Sequence, residues 1–311
     1  MTTNNLQPNR SPGSPGSPGS RGGQTAGQSI TVVSEELVRG IGQLEPLPLT
    51  ARRLLELING KDVSLASIAD LIQLDPTIVA SVLRAASTIR YAGRGLTTVR
   101  EAVFRLGTVA LLDVILEGYL VKLLTATPLY DLSEHDLWLH SVASQLAVRA
   151  LAVERPAARI PPIAETAALL HDIGKLIMSR YLKADPRELA AYAKANRIPF
   201  VQAERELLGV DHTTVGAAMA EAWSFPAEII DAIRRHHSPP FEQSTVVLDA
   251  VVLANVVAKT IETGLGAEGL NFAVDAASYT RLGVDFDTFG RVCLLTDTWL
   301  REVTRTHKIR S

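Results

Sequence analysis

The apolar positions of the chain recur at helical spacing from about residue 34 to its end, and no period-two alternation longer than a few residues interrupts them. Ser34 is placed to cap a helix to about Gln43, and Leu44-Glu45-Pro46-Leu47-Pro48 breaks it, because proline fixes φ and removes a donor. Leu54, Leu55 and Ile58 form the next stripe, ended by Gly60. Ser64 opens another, with Leu65, Ile68, Leu71 and Ile72. Asp75-Pro76 starts a third, since proline suits the first helical position. Gly93 and Gly95 mark a loop, Thr98-Val99-Arg100-Glu101 reads as a capping box, and Gly107 interrupts the helix behind it. Further helices are expected at about 134–153, 163–182, 186–196, 200–208, 212–222, 226–236, 244–263 and 286–305, the last capped by Asp285. The fold expected is all-α, with an N-terminal helical subdomain over 34–126 and a second over 127–306, joined through the connector around Pro128.

Composition changes this picture only at the N-terminus. Residues 1–28, with Ser-Pro-Gly repeats and almost no large apolar side chains, cannot offset the entropy of ordering and read as a disordered low-complexity tail. Over all 311 residues, 47% are hydrophobic and 21% charged, enough for a sizeable core. The net charge of −2 gives no basic excess for nucleic acid. Arg84, Arg90, Arg94, Arg100 and Arg105 read as a solvated face, or as a weaker alternative nucleic-acid patch. Cys293, the single cysteine, sits among apolar neighbours and excludes an internal disulfide. With no secretory h-region and no bilayer-spanning apolar run, a cytoplasmic protein is expected.

The candidate chemistry centres on Leu170-His171-Asp172-Ile173-Gly174-Lys175. A buried His beside an Asp needs a partner, and a divalent metal is one. His140, with Asp136 one turn earlier on the same face, His212 after Asp211, and the pair His236-His237 lie on separate segments that can converge in one helical domain. Each also has an ordinary reading: a core histidine at 140, a helix start at 212, and a favourable C-terminal charge at 236 and 237. Lys175 reads first as a solvated helix-end lysine and second as a phosphate contact.

These residues, in this order, resemble the HD phosphohydrolase superfamily and, within it, the HDOD domain, the HD-related output domain of bacterial signalling proteins. Leu47-Pro48-Leu49, Asp75-Pro76 before Val82-Leu83-Arg84, Glu101-Ala102-x-x-Arg105-Leu106-Gly107 and Gly209-Val210-Asp211-His212-x-x-Val215-Gly216 before Ala222-Trp223-Ser224-Phe225-Pro226 carry the resemblance over about 40–260. It implies an HD-like helical bundle, a metal site of iron, manganese or zinc on His140, His171, Asp172, His212, His236 and His237, and a role in signal transduction. The chain departs from the catalytic pattern at Asn255, where catalytic relatives carry a final aspartate, and six residues earlier stands Asp249. Ser238-Pro239-Pro240 replaces the Glu-Arg and Gly-Tyr-Pro segments of the cyclic di-GMP hydrolases, and Ser87 stands where the family often has asparagine. The expectation is therefore a regulatory protein that acts mainly by binding an unidentified signalling protein, with a degenerate HD metal site and little or no catalysis. A metal-dependent phosphohydrolase of a nucleotide or cyclic dinucleotide is the alternative, with Lys175 as its candidate catalytic residue.

Overall fold

The computed structural model of the chain describes residues 47–61, 63–87, 98–123, 128–133, 135–182, 184–238, 243–269 and 275–307. The expected tail, the helix after Ser34, and the loop at Gly93 and Gly95 lie outside them. The described residues form helices joined by turns and loops, without a β-strand among them.

The N-terminal helices start where local chemistry supplies acceptors for free N–H groups. After α1 (Leu49–Ile58), Ser64 Oγ caps α2 (Leu65–Ile72) by accepting from Ser67 N–H. Asp75 caps α3 (Pro76–Ala86) by accepting from Thr77 and Ile78. Thr98 Oγ1 accepts from Glu101 N–H at the start of α4 (Val99–Leu123). Gly107 kinks α4 at φ 74°, a left-handed value that glycine adopts without a Cβ penalty. α4 packs against α1, α2 and α3 and reaches the second half of the chain.

That second half is built on two helices with no wet face. α5 (Asp136–Glu154) and α12 (Val246–Thr260) pack along each other, and their side chains are buried almost all round. Around them lie α6 (Ile163–Leu170), α7 (Gly174–Tyr181), α8 (Pro186–Asn196), α9 (Phe200–Leu208), α10 (His212–Ala222), α11 (Ala227–Arg235), α13 (Ala276–Leu282) and α14 (Phe286–His307). One connected hydrophobic cluster runs from Leu47 to Leu300. No described helix is long and apolar enough to cross a membrane.

Two expectations change. The helix expected over 163–182 is two helices, because the chain tightens at His171–Ile173, with Ile173 N–H bonded to Leu170 O and Lys175 N–H to Asp172 O. Gly174 follows and packs on α10 so closely that a Cβ there would lie 2.0 Å from His212 O. α13 was not expected at all. It is one short, capped turn pair, with Asp275 accepting from Ser278 N–H, and too brief to show a period.

Candidate metal centre

The break between α6 and α7 places His171 and Asp172 at a corner where α5, α10 and the end of α11 converge. Asp172 is the hub. Its Oδ2 lies 3.5 Å from Nε2 of both His140 and His171, and its Oδ1 lies 3.3 Å from Nε2 of His212 and 3.5 Å from that of His236. Nε2 of His140 and His171 are 3.3 Å apart. The half-buried His237, its ring centroid 4.2 Å from that of His236 and tilted to it, joins Asp172, His212 and His236 as a set whose ligand atoms lie within 4.8 Å of one another. His140, His171 and Asp172 form a second such set.

The outer nitrogens decide what the inner ones are. Nδ1–H of His140 donates to Thr263 O at 3.0 Å, that of His171 to Ala168 O at 2.7 Å, and that of His236 to Ile233 O at 2.9 Å. Nδ1–H of His212 donates to Oε2 of Glu204 at 2.7 Å. Each partner can only accept, so Nδ1 carries a proton, and a ring without a second proton turns a lone pair inward at Nε2.

Burial keeps most of these rings neutral. It lowers the pKa of His140 to about 4, and it pushes His171, His236 and His237 down as well. His212 moves the other way. Burial opposes its charge, but the Glu204 carboxylate beside it raises its pKa. Burial also works against ionised Asp172, yet the Lys175 ammonium and the histidines hold its carboxyl well below the usual range.

The donor set fits a divalent ion. Oδ1 of Asp172 and Nε2 of His212 and His236 are buried without a hydrogen-bond partner, and the lone pairs of His140 and His171 face each other. Imidazoles fixed through Nδ1 around one carboxylate form a mixed nitrogen and oxygen donor set of the kind that holds divalent metals.

Lys175 is not a solvated helix-end lysine. It is 3% exposed, and Nζ donates to Asp172 Oδ2 at 2.8 Å. The same ammonium lies 2.5 Å from Oε1 of Glu268, whose Oε2 accepts from Lys259 at 2.8 Å. Asp136 is not brought to the cluster, since its Oδ2 accepts from Ser133 N–H. Asp249 is committed elsewhere, bound by Arg281, Ser244 and Ser278. Asn255 is buried on α12 with its amide oxygen unpartnered, one turn before Lys259. Within the arginine-rich segment, Arg100 is paired with Asp70, and Arg90 and Arg94 lie outside the described residues. Cys293 packs half-buried against the core, which pushes its thiol up to about 11.

Sequence reasoning missed Glu204, Tyr130, Lys259 and Glu268. One signal was present: Glu204 shares the apolar face of α9 with Phe200, Val201 and Ala203, where a carboxylate needs a partner. The Tyr130 hydroxyl donates to its Oε1 at 2.6 Å.

Comparison with known proteins agrees with this architecture. An uncharacterized protein of Treponema pallidum (strain Nichols) is 25% identical over 228 residues, 71% of this chain and 44% of that protein, so the chain spans less than half the length of this curated relative. Among solved structures, an HDOD domain protein with unknown function from Geobacter sulfurreducens is 26% identical, covering 88% of this chain and 96% of its own at a TM-score of 0.65. A candidate phosphohydrolase from Shewanella amazonensis, 23% identical over 84% of this chain and 93% of its own, shares the fold at a TM-score of 0.59. A sequence model of the HDOD domain matches residues 44–239, more than half of the chain, and the protein belongs to the HDOD domain family.

Proposed function

We propose that this HDOD protein is a regulatory module that acts through a protein partner in signal transduction, and that its histidine–aspartate cluster is a sealed, metal-competent core element. The observation that carries this reading is closure. His140, His171, Asp172, Lys175, His212 and His236 are each 0–4% exposed, leaving the half-buried His237 as the outermost member. A catalytic metal site keeps a position open for water or substrate, and the side chains that would surround such a position here are covered by the fold. Asp172 also has a cation already, in Lys175. Asn255 supports the same reading, because an amide oxygen is a weaker, uncharged ligand than the aspartate that the resemblance would place there.

The second reading, a metal-dependent phosphohydrolase of a nucleotide or cyclic dinucleotide, is favoured by the inward lone pairs. A bound ion would supply an activated water and a counter-charge for a phosphoryl group. His140, His171, Asp172, His212, His236 and His237 would hold it. The name of the Shewanella protein adds nothing at 23% identity beyond the shared fold.

Turnover separates the two. The chain is loaded with manganese or iron and assayed against bis(p-nitrophenyl) phosphate and cyclic di-GMP, beside His171→Ala and Asp172→Ala. The regulatory reading expects no hydrolysis that depends on those side chains. Metal-dependent turnover that both substitutions abolish would establish the phosphohydrolase in its place. A nucleic-acid regulator would instead show steep salt dependence of binding.

A further inference from the structure

We infer that Lys175 is a built-in counter-cation of the cluster: it holds Asp172 when no metal is bound, and a divalent ion must turn it away to bind. The inference rests on the metal competence of the cluster proposed above. Four buried charges alternate along one chain of contacts. Asp172 Oδ2 accepts from Lys175 at 2.8 Å, Lys175 lies 2.5 Å from Glu268 Oε1, and Glu268 Oε2 accepts from Lys259 at 2.8 Å. Two acids and two ammonium groups cancel along this line of contacts without any ion from outside.

The oxygen that Lys175 holds is also the one that faces His140 and His171. A divalent ion on that oxygen would sit next to an ammonium group in a medium that screens charge poorly. Ion and lysine therefore compete for one carboxylate. Lys175 has somewhere to go, because Glu268 already holds the other side of its ammonium. Its ammonium already lies within ion-pair distance of Glu268 Oε1, so only a small shift is needed once Asp172 lets go. Lys259 keeps Glu268 in place from the far side. The carboxylate of Glu268 thus acts as the alternative seat, and metal affinity is set by how evenly Lys175 is shared between the two acids.

The sign of this effect differs for the two neighbours. Removing the ammonium frees Asp172 for metal. Removing the charge of Glu268 leaves Lys175 with Asp172 alone. The experiment is calorimetric titration of the chelator-stripped full chain with Mn2+ and with Zn2+, for the wild type, Lys175→Met and Glu268→Gln. Lys175→Met is expected to bind about tenfold more tightly or better, and Glu268→Gln more weakly than wild type. A wild type that binds, with Lys175→Met no tighter, overturns the inference and leaves the metal-competent cluster standing. Folded variants that all refuse both ions overturn the two together. A second measurement stands apart from metal. Urea unfolding of the chelated wild type, Lys175→Met, Asp172→Asn and the double variant should show that Asp172→Asn largely removes the loss caused by Lys175→Met. The same rescue is expected if Lys175→Met alone does not fold. An undiminished loss in the Asp172→Asn background overturns the pairing on which the inference stands.

Discussion

Nδ1 of His212 lies 2.7 Å from Oε2 of Glu204, and this ring alone among His140, His171, His212 and His236 leans on a carboxylate where the others lean on backbone carbonyls. Glu204 is held in turn by the Tyr130 hydroxyl and by His212 N–H at 3.1 Å. A carboxylate behind a ligating histidine fixes its tautomer and raises its basicity. Glu204→Gln is therefore expected to weaken metal binding by about tenfold, measured by titration.

The same substitution should flatten one component of the pH profile. The pKa of His212 is raised in the fold. Its contribution is fully present below the unfolded value of about 6.5 and disappears as pH rises through the folded one. Glu204→Gln should thus lose more stability, on the order of 1–3 kcal/mol, at pH 6 than at pH 8.5, as read by urea unfolding. A loss that is equal at both would show that the charge of Glu204 is not what His212 uses.

His140, His171, His236 and His237 pull in the opposite direction. Their pKa values are lowered in the fold, to about 4 for His140. The unfolded chain therefore binds more protons in acid, and the stability they provide is present above about pH 6.5 and lost as pH falls toward 4. His140 alone accounts for up to about 3 kcal/mol of that loss. Four lowered rings outweigh one raised ring, so thermal unfolding temperature should drop between pH 7 and pH 5. A flat profile over that interval would contradict the neutral, inward-facing arrangement.

Much of this candidate site is legible in the sequence. His171-Asp172, His140 and His212 were each placed on the right kind of segment, because helix starts such as Asp211-His212 carry their own cap chemistry and apolar periods fix the rest. Helix bounds held best where proline or aspartate punctuates, as at Pro186–Asn196 and Phe200–Leu208. The split at His171–Ile173 is not legible, since His171 and Ile173 keep helical dihedrals and the corner goes with the close approach of α10 to Gly174, a tertiary contact. Glu268 and Lys259 were not legible either. Nine residues and a change of direction separate them, and their pairing exists only after the 3-10 turn at Gly266–Glu268 brings them together.

Gly174 tests that close approach. A methyl group at residue 174 would lie 2.0 Å from His212 O and 2.7 Å from Gly216 N, both backbone atoms that cannot swing aside. Gly174→Ala should destabilise the fold by about 3 kcal/mol or more and loosen metal binding by displacing His212. Gly118→Ala is the control. It lies within α4 with open space around a new Cβ and should stabilise by about 0.5–1 kcal/mol. Urea unfolding of both variants measures the contrast.

Asp113 joins α4 to α6, accepting from the Thr166 hydroxyl at 2.6 Å in a buried position. Burial pushes its pKa well above the ordinary carboxylate value. Its favourable contribution is complete below the unfolded value of about 3.9 and is lost as pH rises through the folded one. An amide keeps the acceptor for Thr166 and cannot ionise. Asp113→Asn should therefore match wild type near pH 4 and exceed it by about 1 kcal/mol or more at pH 8, by denaturant titration at both. A variant less stable than wild type at pH 8 would mean that the ionised carboxylate has a partner that favours it.

Asn255 offers the sharpest contrast between the metal-free and metal-bound protein. Its Oδ1 is buried and unpartnered on α12. Asn255→Asp puts an ionisable group there. Without metal, that carboxylate is an added buried charge, and the variant should lose about 3 kcal/mol, less whatever Lys259 one turn on can offset. With metal, a charged oxygen in place of an amide should tighten binding, and the lost stability should return with the logarithm of the free ion concentration above the dissociation constant. Thermal unfolding of wild type and Asn255→Asp across a manganese titration measures both at once. The expected result is a lower unfolding temperature than wild type under chelation and a larger rise on adding metal. A variant equally destabilised at every metal concentration would place residue 255 outside the reach of the ion, and the departure from the catalytic HD pattern would then lie elsewhere in the chain.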